Sequence, residues 1–253
     1  MAAAVTAAYA VGVEPFWIRP VQYRVWHPSW PAELAGFTIV QLSDLHGRVQ
    51  VFRMAPVQQW LAEADLIAIT GDLYSPMRPR RRLAAELGRL PAARTRYVSG
   101  NHDYRRGVLH VGPWAPPPAV LLDNRVERYT SPAGRRLLLG GVADLGRGRP
   151  EWAQVPDGEP AVLLSHRPDA ILARGAAPYG LVLAGHTHGG QVALPWLGPI
   201  LRHSRLARGE TAGLVPWHDG RTLVVSRGLG TSELPVRLFS RPEVVQIVLS
   251  PAE

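Results

Sequence analysis

Short apolar runs alternate with amphipathic stretches through the first half of the chain. Runs at 37–42, 66–70 and 96–99 have the length and composition of β-strands, and the stretches at about 55–64 and 80–90 are helical in pattern. The run at 66–70 is apolar, which is typical of a strand buried on both faces of a parallel sheet. The alternation of strand and helix predicts an α/β domain with a mostly parallel sheet.

The middle of the chain is less regular before the pattern returns. Further strands are predicted at 119–122, 136–142, 161–164, 180–183, 222–226 and 244–249. A helix is predicted at about 168–174. With 253 residues and 46% hydrophobic side chains, the chain can bury one large core, so we expect a single domain over residues 36–250.

Residues 1–35 precede this domain, and we interpret them as a leader or N-terminal extension. Residues 1–13 are alanine-rich and uncharged, like the apolar part of an anchor. A bilayer span needs about 20 apolar residues, and a secretory signal needs a basic start and a cleavage site. The remnant of an anchor, a misassigned start and a simple first helix are all compatible with this segment.

The composition limits the chemistry. The chain has no cysteine, and all 28 basic residues are arginine, so thiolate metal sites, lysine Schiff bases and Walker lysines are excluded. A bound metal must therefore use histidine, carboxylate or amide ligands. The 28 basic against 20 acidic residues give a net charge of +8, which favours an anionic partner or is simply a solvated basic surface.

Polar residues able to bind a metal follow five of the predicted strands. They are Asp44, His46, Asp72, Asn101, His166, His186 and His188. The carboxyl ends of parallel strands share one edge of a sheet, so one pocket could collect all seven. This ligand set suits two divalent cations, because a carboxylate such as that of Asp72 can bridge them. The positive charge of two divalent cations exceeds the negative charge of two aspartates. The site therefore keeps a net positive charge, which favours a phosphate oxyanion.

The same residues form an ordered series of motifs. They are Asp44-Leu45-His46, Gly71-Asp72, Gly100-Asn101-His102-Asp103, His166 and Gly185-His186-Thr187-His188. In this series the chain resembles the calcineurin-like metallophosphoesterases over about residues 36–250. The segments 189–191 and 226–230 are similar to those of the bacterial YkuE/YaeI-like phosphodiesterase subgroup.

The resemblance implies a four-layer αββα sandwich with a dinuclear metal site at the strand ends. The first metal would be bound by Asp44, His46, Asp72 and His188. The second would be bound by Asp72, Asn101, His166 and His186. A hydroxide between the metals would be the nucleophile, and manganese, iron and zinc all suit these ligands. His102 would be the catalytic residue at the leaving oxygen.

Four further residues carry predictions about the surroundings of His102. Asp103 either orients His102 or bonds its own turn backbone. Many relatives have an aspartate where this chain has Ser75, which puts an aspartate–histidine dyad in doubt. Arg105 and Arg106 leave the same loop and are candidates for binding a substrate phosphate.

The segment 194–201 is strongly apolar and contains two prolines. It is either a buried loop or, together with Trp114, an exposed apolar rim that holds an acyl chain or rests on a membrane. His27, His110, His203 and His218 lie outside the motifs, and we expect them to be structural or surface residues.

We therefore expect a phosphohydrolase that cleaves phosphodiester or diphosphate bonds, with a lipid-linked substrate such as UDP-2,3-diacylglucosamine as the first specific hypothesis. A general small-molecule phosphodiesterase and a non-catalytic scaffold are the alternatives. The scattered arginines disfavour nucleic acid. We expect a cytoplasmic or peripherally membrane-associated protein with possible contact to a membrane surface.

Overall fold

A computed structural model describes residues 1–28, 30–75, 80–110, 119–156 and 158–251, and Trp114 lies outside these residues. The helices are α1 (Ala2–Gly12), α2 (Ala55–Glu63) and α3 (Arg80–Leu87). The strands up to the middle of the chain are β1 (Arg19–His27), β2 (Thr38–Leu42), β3 (Leu66–Thr70), β4 (Thr95–Val98), β5 (Tyr104–Arg105), β6 (Val108–Leu109), β7 (Val120–Leu121) and β8 (Arg125–Thr130). The later strands are β9 (Arg136–Gly141), β10 (Ala161–Leu164), β11 (Leu181–Ala184), β12 (Ala193–Leu194), β13 (Gly198–Pro199), β14 (Gly213–Pro216), β15 (Thr222–Val225) and β16 (Glu243–Pro251).

Two six-stranded sheets form the centre of the fold. The first has the order β1-β16-β2-β3-β4-β7, and the second has the order β14-β15-β11-β10-β9-β8. The strands β2, β3 and β4 run parallel in the first sheet, as do β9, β10, β11 and β15 in the second. The strand–helix alternation of the sequence is confirmed, and the carboxyl ends of the parallel strands share one edge in each sheet.

Strand β3 shows how the layers are built. All five of its residues are buried, because Ile67 and Ile69 face the helices while Leu66 and Ala68 face the second sheet. Helices α2 and α3 cover the first sheet with apolar side chains spaced four residues apart. These side chains are Val57, Leu61, Leu83 and Leu87.

The outer face of the second sheet is covered differently from the prediction. The helix expected at 168–174 is a 3₁₀ segment, Pro168–Leu172, followed by a second one, Arg174–Ala176. The run is short, and starting an α-helix is costly over so few residues. Ala170 and Ile171 nevertheless pack against the second sheet. The predicted sandwich is confirmed, with 3₁₀ segments forming much of its fourth layer.

The segment before residue 36 contributes to the first sheet. Strand β1 pairs in parallel with β16 over nine residues, from Arg19 opposite Glu243 to His27 opposite Pro251. Ahead of β1, the Ala10 carbonyl accepts a hydrogen bond from Arg237 N, and Glu14 accepts one from Ser240 N. The domain boundary at residue 36 stays a prediction. Among the described helices, none has the length and apolar character that crossing a membrane requires.

Candidate metal centre

The structure brings all seven predicted ligands together where the parallel strands end. Asp44 and His46 follow β2, Asp72 follows β3, Asn101 follows β4, His166 follows β10, and His186 and His188 follow β11. Five are buried, and Asn101 and His186 are half-buried. Two clusters can each hold a metal ion: a first cluster of Asp44, His46 and His188, and a second cluster of Asp44, Asp72 and His166.

In the first cluster two imidazoles face each other. Nε2 of His46 lies 3.2 Å from Nε2 of His188, which in turn lies 3.3 Å from Oδ1 of Asp44. Burial lowers the pKa of His46 to about 4 and also lowers the pKa of His188. Both rings are therefore neutral near pH 7, which is the form of histidine that binds a metal.

The Asp44 carboxylate shows that this cluster fits a cation. Its Oδ2 accepts hydrogen bonds from Ser43 Oγ at 2.6 Å and from the backbone N of His186 at 3.0 Å. Its Oδ1 is buried without a hydrogen-bond partner among the residues that the structure describes. Burial raises the pKa of Asp44 to about 6, because its negative charge lacks compensation. A divalent ion beside Oδ1 satisfies both the orphaned oxygen and the charge.

Asp72 belongs to the second cluster and also lies close to the first. Its Oδ2 is 3.6 Å from Nε2 of His46 and 3.4 Å from Nε2 of His166. Burial raises the pKa of Asp72, but interactions with the neighbouring histidines outweigh burial and lower it overall. Burial lowers the pKa of His166, yet the Asp72 carboxylate outweighs it and raises this pKa to about 10. The Asp72 carboxylate thus favours a positive charge beside it.

The remaining ligands surround His166. Its Nδ1 lies 2.9 Å from the Thr70 carbonyl, which can only accept, so Nδ1 carries a proton and Nε2 is directed into the site. Oδ1 of Asn101 and Nδ1 of His186 lie 3.0 and 3.1 Å from that Nε2. The Asn101 oxygen and ring nitrogens of His166 and His186 thus converge on one point, as ligands of a metal do.

The backbone at the site is strained. Five of the seven ligands have positive φ angles between 44° and 69°: Asp44, His46, Asp72, His186 and His188. Residues other than glycine rarely adopt this conformation, and it clusters at functional sites. A close approach adds to the constraint, because a Cβ on Gly100 would collide with the Asp72 carboxylate. The strand-end loops are held in one shape that presents the ligands inward.

Asp103 holds two of these loops together. Its carboxylate accepts hydrogen bonds from the backbone N atoms of Gly100, Asp72 and Leu73, at 2.9, 2.9 and 3.0 Å. Burial and the charge of Asp72 raise the pKa of Asp103 to about 7. Of its two predicted roles, the turn role is seen, because within the described chain its hydrogen bonds go to backbone groups and not to the His102 ring.

His102 lies at the open side of the site. Its ring is exposed and lies 5.0 Å from the His46 ring, in an edge-on arrangement, while its backbone N donates to Oδ1 of Asp72. Its Nε2 lies 3.3 Å from Oγ of Ser232, so the ring contacts a serine on a distant loop. Ser75, at the position where the resemblance led us to expect an aspartate, is half-buried in the loop after β3.

The two candidate phosphate-binding arginines lie on the hairpin of β5 and β6. Arg105 and Arg106 are exposed there and are not among the residues that line the metal pocket, so their contact with substrate stays a prediction. Sequence reasoning missed Arg167 and gave His203 only a structural or surface role. Nη1 of Arg167 lies 2.9 Å from Nε2 of His186, and the His203 ring lies 6.1 Å from the His186 ring. Arg167 directly follows a predicted ligand, which was the available signal.

Four of the seven candidate ligands line a pocket of about 180 Å³. Asp72, Asn101, His102, His186 and His188 line its polar part. Leu201 and Leu234 line its mouth, and both side chains are exposed. Such a pocket can bind an anionic group at its floor and an apolar group at its mouth.

Comparisons with known proteins agree with this geometry. The family model described as Calcineurin-like phosphoesterase matches residues 37–190. The chain is 29% identical over 268 residues to the metallophosphoesterase YkuE of Bacillus subtilis (strain 168), covering 95% of this chain and 88% of YkuE. It is 28% identical over 249 residues to the phosphodiesterase YaeI of Escherichia coli (strain K12), covering 93% and 90%.

A relative from Bos taurus, a transmembrane protein with metallophosphoesterase domain, is 31% identical over 255 residues, covering 88% of this chain and 55% of that protein. The two bacterial relatives align over nearly the whole chain, so the predicted YkuE/YaeI-like group is confirmed. The chain belongs to the calcineurin-like phosphoesterase family, and it is a phosphoester hydrolase with aspartate and histidine residues positioned for divalent metal ions.

Proposed function

We propose that this hydrolase cleaves a phosphodiester or diphosphate bond in a lipid-linked substrate such as UDP-2,3-diacylglucosamine. The observation that carries the proposal is the metal pocket, in which a floor of aspartate and histidine residues meets a mouth formed by Leu201 and Leu234. The floor suits a phosphate, and the mouth suits an acyl chain. A small-molecule phosphodiesterase does not need the apolar mouth.

We assign the ligands as the resemblance implies. Asp44, His46, Asp72 and His188 hold one ion. Asp72, Asn101, His166 and His186 hold the other. Divalent ions bound there polarise a phosphate oxygen and lower the pKa of a water molecule toward neutrality. Manganese, iron and zinc each suit these nitrogen and oxygen donors. The Thr70 carbonyl fixes the His166 tautomer, and the Asp103 carboxylate fixes the loop that carries Asp72.

An apolar rim extends from the mouth of the pocket. We define it as the exposed side chains Leu194, Trp196, Leu197, Ile200, Leu201 and Leu234. Trp196 is 103% exposed, on the hairpin of β12 and β13. The predicted buried-loop alternative does not describe this segment, because only Pro199 within 194–201 is buried. An exposed apolar surface beside a phosphate site is typical of proteins that meet a membrane.

Arginines next to the apolar rim support peripheral membrane contact. Arg202 and Arg205 directly follow the hairpin and are exposed, and each exposed arginine adds attraction to an anionic lipid surface. The name of the Bos taurus relative describes a transmembrane protein, which agrees with an enzyme domain working near a bilayer. We propose that the protein binds the membrane surface peripherally while it acts on a lipid.

A substrate panel tests the proposal directly. We expect release of product from bis-p-nitrophenyl phosphate and faster turnover of a UDP-diacylated sugar in detergent micelles, each with Mn²⁺ present. Turnover of the small diester alone would favour the small-molecule phosphodiesterase. Cleavage of only a short oligonucleotide would refute the lipid hypothesis. A protein that binds Mn²⁺ but turns over none of the panel would support the scaffold alternative.

Replacing Trp196 with serine should weaken vesicle binding. Because the Trp196 side chain is fully exposed, its removal should not weaken the fold. Transferring an indole from water to the lipid interface stabilises the membrane-bound state, so the loss of the indole should lower vesicle partitioning about tenfold. Flotation with phosphatidylglycerol vesicles measures the change. Trp26→Ser is the matched control, since Trp26 is 55% exposed on the edge strand β1. Equal flotation of the wild type and both variants would contradict the membrane proposal.

His102→Ala should keep the metals and lose rate. The ring lies beside His46 but outside both metal clusters, at a position where it can donate a proton to the leaving oxygen. Removing a general acid typically costs about 10²–10⁴ in rate. We expect kcat to fall within that range while the metal content measured by elemental analysis stays constant. His218→Ala, at an exposed histidine, is the control, and a loss of metal in the His102 variant would show that His102 is a ligand.

A further inference from the structure

We infer that a second pocket beside the metal centre binds another phosphate of the substrate, so that the substrate carries two phosphate groups on its polar side. The inference deepens the proposed function and rests on it. We call this the arginine pocket; it has a volume of about 580 Å³ and is lined by Arg167, Arg205, His203, Asp169, Leu145 and Leu172, among others.

The arginine pocket is continuous with the metal pocket. His203 lines both, and its ring lies 6.1 Å from that of His186, one of the proposed ligands. Arg167 lines the arginine pocket while its Nη1 lies 2.9 Å from Nε2 of His186. A group bound in the arginine pocket would therefore lie next to a group bound at the metal centre. The two are close enough to be adjacent parts of one ligand.

Arg167 is held in place for binding. Its Nε donates to Oδ1 of Asp144 at 2.9 Å, and the Asp144 side chain is fully buried. The other oxygen of Asp144 accepts the backbone N atoms of Gly146 and Arg147. Within the described chain, Nη2 of Arg167 has no hydrogen bond. A preorganised guanidinium with a free N–H edge suits a phosphate oxygen and loses little entropy on binding.

Gly146 keeps this N–H edge accessible. A Cβ at Gly146 would lie 2.6 Å from Nη2 of Arg167. A side chain there would therefore cover the edge of the guanidinium that is free of hydrogen bonds. The wall of the arginine pocket is thus shaped around the donor that we assign to the phosphate.

Arg205 provides a second positive charge. Its side chain is exposed and makes no ion pair with a described residue, while its backbone N donates to Oδ1 of Asp169 at 2.8 Å. Asp169 is the only carboxylate among the described lining residues, and this backbone contact already engages it. The pocket therefore has two positively charged guanidinium groups and one carboxylate that already accepts a hydrogen bond. Its net positive charge favours an anion.

The remaining walls indicate what the anion is attached to. Leu145 and Leu172 give the pocket an apolar part, and a volume of about 580 Å³ lies within the range of small-molecule sites. A phosphate joined to a sugar or nucleoside meets both kinds of wall. The metal centre would then act on a bond between this polar half, in the arginine pocket, and an apolar half at the rim.

Nucleotide binding tests the subsite on the full chain loaded with Mn²⁺. UMP and UDP serve as probes, and calorimetry measures their Kd values for the wild type, Arg205→Gln and the control Arg174→Gln, whose exposed arginine lies outside the arginine pocket. Wild-type protein should bind UDP more tightly than UMP, because only UDP has a second phosphate. In Arg205→Gln this preference should fall about tenfold, the effect of one charge-assisted hydrogen bond, and in Arg174→Gln it should persist.

An equal preference for UDP over UMP in all three proteins would overturn the subsite. So would a wild-type protein with no preference for UDP. The outcome is independent of the proposed function, because the substrate panel measures turnover and this experiment measures affinity. If the protein did not hydrolyse the lipid substrate but Arg205→Gln still lowered the preference for UDP, the lipid proposal would be refuted and the subsite would be retained.

Discussion

Asp72→Asn should abolish both metal binding and turnover. Asp72 belongs to the second cluster and also approaches the first, with Oδ2 at 3.6 and 3.4 Å from the Nε2 atoms of His46 and His166. Asparagine keeps the shape and can still accept the hydrogen bond from the backbone N of His102 on one oxygen. It removes the negative charge and one potential metal oxygen. We expect kcat with bis-p-nitrophenyl phosphate to fall by about 10³ or more, since catalysis depends on both ions.

Elemental analysis and circular dichroism of the same preparation distinguish loss of metal from loss of folding as the cause of lost activity. The variant should contain almost no metal, while its circular dichroism spectrum stays that of the folded protein. Asp219→Asn is the matched control, because Asp219 pairs with Arg221 in a surface turn. The control should retain full metal and activity. Wild-type metal content and turnover in Asp72→Asn would contradict the bridging role.

Arg237→Met should give the largest loss of stability. Arg237 is fully buried, and its guanidinium donates to the carbonyls of Arg227, Gly230 and Ser240 at 2.8, 2.6 and 2.8 Å. Burial lowers its pKa to about 9, so it remains charged near pH 7. Methionine fills part of the volume but leaves several carbonyl groups without a donor. We expect the free energy of unfolding to fall by about 3–5 kcal/mol, measured by denaturant titration.

The same variant should also bind metal more weakly. The loop whose carbonyls Arg237 binds packs directly against the first cluster. A Cβ on Gly228 would lie 2.6 Å from Cβ of Asp44, and a Cβ on Gly230 would lie 2.7 Å from Cβ of His46. Arg241→Gln is the control: Arg241 stacks on Trp17 at 3.8 Å and donates to its carbonyl at the surface. An Arg237 variant as stable as the control would show that water replaces the lost donor.

The convergence of the seven candidate ligands could be predicted because their signal is local. Each of the seven directly follows a short apolar strand, and parallel strands deliver their ends to one edge. The distinction of His102 from the ligands came from the family resemblance and not from a local signal. The strand β1 was missed because its exposure does not alternate in a hydrophobic pattern: only Val25 is buried. Its place in the sheet depends on β16, more than 200 residues later.

The arginine pocket could not be predicted for a related reason. Arg167 and Arg205 come from separate segments, and neither belongs to a motif. They become neighbours because the 3₁₀ segments between β10 and β11 lie against the loop before β14, where Asp169 accepts the backbone N of Arg205. Irregular segments have no periodicity, so their contacts are set by tertiary packing alone. The role of Asp103 also depended on the structure, because either of its predicted roles fits the same turn sequence.

The position of β16 between β1 and β2 affects how the chain folds. The strand at the end of the described chain is inserted between the two earliest strands, pairing in parallel with β1 and antiparallel with β2. The first sheet therefore cannot form completely until β16 has left the ribosome. Contacts of such long sequence separation slow folding and leave strand edges exposed meanwhile. Nascent chains that stall before residue 243 should thus be targets for chaperones.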